Sequence, residues 1–151
     1  SAQYALLPYL PKEQKLLLVH NTFSESADIE EIETHFSHAY WCTCPKANWY
    51  IEQKLPNYDL WREKNLKITI GTDSLASNDC LNVLEEIKMI QKNYPHIPTN
   101  ELLIWACKNG AEFFNYDELG SFEAGSKPGV VLIEHVIGLQ LTENSKVTVL
   151  A

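Results

Sequence analysis

Asp73 is the side chain in this sequence best placed to do chemistry. It follows a short β-branched run, Lys67-Ile68-Thr69-Ile70, and two breakers, Gly71 and Thr72. That pattern predicts a buried strand delivering one carboxylate at its C-terminal end. A carboxylate in such a place can accept a proton or contact a cation, and barrel enzymes carry their catalytic groups at the C-terminal ends of strands. Asp73 can equally cap the next turn or helix, and the local pattern leaves both readings open. Ser74, Ser77 and Asn78 follow, and residues of these types order a loop through side-chain-to-backbone bonds. Ser77 and Asn78 are also candidate substrate contacts.

A second polar group ends a second apolar run. Lys15-Leu16-Leu17-Leu18-Val19-His20 has the signature of a strand buried on both faces in a parallel sheet, and His20 stands at its end. Cys42-Thr43-Cys44, downstream of His35 and His38, invites comparison with a zinc cluster. Zinc fingers usually separate their cysteines by two to four residues, so the better reading is small apolar side chains at a strand end.

The totals exclude several classes. A chain of 151 residues, 45% hydrophobic and 21% charged, fits one globular domain with a core of its own. A net charge of −8 argues against nucleic acid as a partner, because phosphate binding needs clustered Lys and Arg. No apolar run approaches the roughly 18 residues that cross a bilayer, so no membrane is expected. Neither a signal peptide nor a disulfide framework is visible, which points to reduced thiols and a cytoplasmic setting. The four tryptophans, 41, 49, 61 and 105, read as core or loop anchors. Gly71-Thr72 lacks the Gly-rich run and Lys of a phosphate loop.

Elements alternate along the chain. Tyr4 to Leu10 reads as helical, stopped by Pro8 and Pro11. Asp28 resembles an N-cap opening a helix to Ser37. Ala39 to Cys42 is a strand ended by Pro45; Asn48 to Leu55 is ambiguous, and Asp59 to Asn65 is a short helix. Leu81, Leu84, Ile87, Ile90 and Tyr94 form an amphipathic helix, and another opens at Thr99. Strand–helix alternation predicts right-handed units on a parallel sheet. The Gly-rich tail predicts three antiparallel runs, Val130 to Val136, Gly138 to Leu141 and Val147 to Leu150.

With these residues laid out, the chain resembles the C-terminal part of an amidohydrolase-superfamily enzyme of the cytosine, guanine and adenosine-type deaminase and chlorohydrolase branch. Leu18-Val19-His20-Asn21 is similar to the sixth barrel strand, Cys44-Pro45-Lys46-Ala47-Asn48 to the seventh, and Gly71-Thr72-Asp73-Ser74-Leu75-Ala76-Ser77-Asn78 to the eighth. Lys108-Asn109-Gly110-Ala111 and Gly120-Ser121-Phe122-Glu123-Ala124-Gly125 resemble the final helix and the return to a β-sandwich. The resemblance implies an α/β fold: strands six to eight of a metal-dependent hydrolase TIM barrel over residues 1–119, and a few accessory-sandwich strands over 120–151. It implies a zinc or iron ion that activates water against a C–N bond of a cyclic amidine or amide in a small heterocyclic substrate. Asp73 would be metal contact and general base; His20 would bind substrate or stabilise developing charge.

The departures set further expectations. No His-x-His pair is present, although the resemblance places the main metal ligands on such a pair in the first strand and on a fifth-strand His. A barrel of this kind needs about 250 residues. The chain is therefore expected to be part of a longer enzyme, inactive alone and holding no metal stably. The alternative is a non-catalytic α/β assembly module that completes a barrel with another chain, as in a homo-oligomer joined through its open edge.

Overall fold

The computed structural model describes residues 7–151. Residues 4–6 of the expected first helix lie outside them, and Leu7–Tyr9 forms a single 3₁₀ turn. Three strands, β1 (Leu16–Val19), β2 (Ala39–Thr43) and β3 (Ile68–Ile70), pair in parallel in that order. Leu16 lies opposite Ala39, and Trp41 opposite Ile68. Helix α1 (Ser26–His35) connects the first pair; α2 (Pro45–Glu52) and α3 (Tyr58–Glu63) connect the second. Beyond β3 come α4 (Val83–Asn93) and one long helix in three parts: α5 (Thr99–Leu103), a π-helical stretch (Ile104–Lys108) and α6 (Asn109–Phe114). A separate antiparallel hairpin, β4 (Val131–Ile137) and β5 (Gln140–Val149), ends the chain.

Local chemistry explains the boundaries and corrects several expectations. Helix α1 starts a turn earlier than expected, because Glu25 and Asp28 form a capping box in which the Glu25 N–H donates to Asp28 Oδ2 at 2.9 Å. Asp28 is thus the inner member of the box and not the cap. The ambiguous stretch after Asn48 is helical: Pro45 sits in the first turn of α2, where a missing N–H costs nothing, and Gln53 ends it with φ 53°. Helix α4 begins at Val83, capped by Asn82 Oδ1 accepting from Leu84 N at 3.0 Å, so Leu81 is left exposed. The tail has two strands instead of three, because Gly138, with φ 61°, makes a tight turn and residues 140–149 run on as one strand.

All five residues of β2 are buried, whereas β1 is half-buried and Val19 is exposed. The apolar run in β1 predicts burial on both faces; among the described residues it has a strand neighbour on one edge only. The outer edge of β3 receives a side chain: Asn109 Nδ2 donates to the Ile68 carbonyl at 2.6 Å. The core lies between the sheet and the helices. Trp41, Tyr58 and Trp61 are fully buried there, with the Trp41 and Trp61 rings 5.6 Å apart. Trp49, by contrast, is exposed. The hairpin is tied to α4 where Leu141 N donates to Gln91 Oε1 and Lys88 Nζ to the Glu143 carbonyl, both at 3.0 Å. Among the described residues no helix is long and apolar enough to cross a membrane.

Ile90, with no exposed surface, reports on this packing. Ile90→Ala is expected to destabilise the chain by about 2–5 kcal/mol, read as a lower denaturant midpoint at unchanged slope.

Candidate functional site

Parallel pairing with helical crossovers sends the C-terminal ends of all three strands to one rim. Each ladder runs one residue past its strand: His20 N donates to the Cys42 carbonyl and Gly71 N to the Thr43 carbonyl, both at 2.9 Å. The backbone then turns left-handed. His20 and Asn21 have φ of 71° and 52°, and Asp73 has φ of 57°. Such conformations cost about 1–3 kcal/mol for residues other than glycine and persist where the surroundings over-determine them. These turns bring His20 Nε2 to 3.9 Å from Asp73 Oδ2, with both side chains about one-third exposed. A side chain at position 71 would be a tight fit, since a Cβ there would stand 3.2 Å from Cys42 Sγ and 3.3 Å from Cys44 Sγ.

Ser77 Oγ donates to Asp73 Oδ2 at 2.7 Å. This bond holds the Asp73 carboxyl below the usual carboxylate range, helped by a Ser74 backbone bond and by nearby His20. Asn78 points into the protein, donating to the Thr72 carbonyl at 2.7 Å and to Glu86 Oε1 at 2.6 Å. Asp73, His20 and Ser77 therefore meet at the rim, while Asn78 acts beneath it.

Two further groups carry no assignment from the sequence. Glu86 is completely buried, and its Oε2 accepts from Lys46 N at 2.8 Å; burial pushes its carboxyl upward. Its signal was a carboxylate one turn before Ile90 on the buried side of α4. Asn48, also buried, accepts from Cys44 N at 3.1 Å and donates to Thr22 Oγ1 at 2.6 Å. It thereby links the loop after β1 to the start of α2.

His20 and Asp73 suit a divalent cation as donors, yet zinc takes three or four protein ligands. The described residues contain no group of three or more such side chains able to hold a metal. Cys42 and Cys44 are buried with Ala47 against Leu17 at one end of β2. His35 and His38 precede the other end, and four residues of strand separate His38 from Cys42 by about 13 Å.

Residues 5–151 match the profile of the amidohydrolase family. The chain is similar to the 5-methylthioadenosine/S-adenosylhomocysteine deaminase of Halalkalibacterium halodurans, 28% identical over 130 residues, which cover 82% of this chain and 30% of that protein. It is similar in structure to the Helicobacter pylori aminofutalosine deaminase crystallised with methylthio-coformycin, at TM-score 0.69 and 28% identity over 77% of this chain and 29% of the other. An adenosine deaminase from Xanthomonas campestris with bound zinc shares the fold at TM-score 0.69 and 22% identity, over 81% of this chain and 29% of that one. The chain spans under a third of the length of these proteins.

The Ser77 bond has a titration consequence. A folded-state value below the usual one means that ionised Asp73 adds stability above the usual carboxylate value, and that this is lost as pH falls through the lowered one. Ser77→Ala is expected to move the Asp73 titration upward, so that the stability it contributes shrinks and its acid-side loss is complete at a higher pH. Carboxyl ¹³C NMR titration of the metal-free chain reads it directly.

Proposed function

The chain belongs to the amidohydrolase family, and on that premise we propose that it is the part of a metal-dependent nucleoside deaminase that carries barrel strands six to eight. Residues 1–119 supply these strands and their helices; residues 120–151 supply strands of the accessory sandwich. The observation that carries this reading is the meeting of His20 and Asp73, 3.9 Å apart, at the C-terminal rim of parallel strands. The named activity of the relatives and the methylthio-coformycin held by one of them support a nucleoside whose amino-bearing ring is a cyclic amidine.

Water adds to the ring carbon bearing the amino group, the C–N bond breaks, and ammonia leaves. Asp73 receives the proton that water gives up and returns it toward the departing nitrogen. A carboxylate held below its usual range is ionised and ready at neutral pH. His20 shares the rim with Asp73 and faces the charge that builds on the ring. The hydrogen bonds of Ser77 and Asn78 run within the loop and to the helix beneath it, so their contribution to substrate binding runs through the placement of Asp73. A zinc or iron ion in the complete enzyme supplies the lowered water pKa; Asp73 is the contact this chain offers it.

Two outcomes test the reading. In the complete metal-loaded enzyme, Asp73→Asn should lower ammonia release from an adenosine-type nucleoside by about 10²–10⁴-fold, since asparagine cannot accept the proton. The isolated chain should hold well under one zinc or iron per chain by elemental analysis, with native mass measured alongside. One tightly held ion in a monomer would overturn the assignment of Asp73 as part of a divided site.

A further inference from the structure

We infer that Glu86 is a positioning residue for Asp73, acting through Asn78 and the Thr72 peptide. The inference rests on the reading of Asp73 as the base. Glu86 has no exposed surface, and its two oxygens serve two different strand–helix units. Oε2 accepts from Lys46 N in the first turn of α2, at 2.8 Å. Oε1 accepts from Asn78 Nδ2 at 2.6 Å, and the same nitrogen donates to the Thr72 carbonyl at 2.7 Å. Both amide hydrogens of Asn78 are committed in this way.

The Thr72 carbonyl belongs to the peptide plane that enters Asp73. Holding that plane holds the rotation about the Asp73 N–Cα bond, where φ is 57° and the strain needs support. The chain of bonds thus refers the direction of the Asp73 carboxylate to the first turn of α2, and so to the end of β2. Lys46 adds a second link to the same loop through its side-chain contact with Asp79. A carboxylate is the side chain that fits here, because it accepts at both oxygens. Glutamine has one acceptor oxygen, and its NH₂ would face a donor whichever way it turned, Lys46 N–H or the Asn78 amide.

The test uses the complete metal-loaded enzyme with two readouts: kcat and KM on an adenosine-type nucleoside, and amide hydrogen exchange of residues 72–79 in the metal-free protein. Glu86→Gln is expected to lower kcat about 100-fold with KM little changed, as for a misplaced reacting group, and to speed exchange of that segment at least about tenfold. The double variant carrying Glu86→Gln and Asn78→Asp separates positioning from bulk stability. In it the introduced glutamine accepts from Lys46 N and donates to the introduced aspartate, which has no hydrogen to offer the Thr72 carbonyl. Thermal stability should return toward wild type while kcat stays low and exchange stays fast. Recovery of kcat together with stability, or unchanged exchange in Glu86→Gln, overturns the inference. If the Glu86 variants do not fold, Asn78→Ala, which keeps the Lys46 bond, decides: the same fall in kcat supports the inference and an unchanged kcat overturns it. A wild-type enzyme that releases no ammonia would sink the functional reading alone, and the exchange comparison would still decide the role of Glu86.

Discussion

A carboxylate shut away from water must be met by donors on both oxygens, and the rim of this sheet depends on how that requirement is met at Glu86. An unpaired charge in such a place costs several kcal/mol. The donors come from two places that the chain must therefore bring together. One is the first turn of α2, whose N–H groups have no partner inside their own helix and whose positive end favours an anion. Pro45 removes one of these donors, and Lys46 N turns to Glu86. The other is the Asn78 amide, which reaches both Glu86 and the peptide ahead of Asp73. Satisfying one buried charge thus joins α4, α2 and the loop after β3.

The loop after β1 is joined to the same helix by a neutral version of the arrangement. Asn48, in α2, accepts from Cys44 N and donates to Thr22. Helix α2 is consequently the reference for both flanking strand ends, with Asn48 on the His20 side and Glu86 on the Asp73 side. The left-handed turns at His20, Asn21 and Asp73 are sustained by this double tethering. Close backbone approach completes it, since Gly71 lies against two sulfurs with little room for a side chain.

The strands and their polar ends were legible in the sequence, because the apolar run Leu16–Val19 stops at His20 and the run Lys67–Ile70 is followed, two breakers on, by Asp73. What the runs could not convey is neighbourhood. The leucines of β1 promise burial on two faces, and burial depends on how many strands flank them. Asp28 looked like a cap because its type suits one, but Glu25, whose type does not, completes the box from outside. Asn48 and Glu86 went unassigned for the same reason: their partners lie 26 and 40 residues away at the farthest, beyond any local pattern. The carboxylate on the buried stripe of α4 and the loop-ordering type of Asn78 were the traces of that network visible in one dimension.

The same neighbourhood argument divides the chemistry. A base needs to be ionised, oriented and near its proton, and the first two conditions are met at Asp73 from within the chain, through Ser77 and the left-handed turn. A divalent cation needs three or four ligands converging on a point, and His20 and Asp73 converge as two. On the proposed reading, proton handling is then local to this rim, while coordination is shared with strands that close the barrel. A shared site is productive only if the base is aimed before the other ligands arrive, because each flexible ligand must otherwise be ordered at a cost of its own. Rigid tethering of Asp73 through a buried network, with no reliance on ligands from other strands, is the arrangement that division requires.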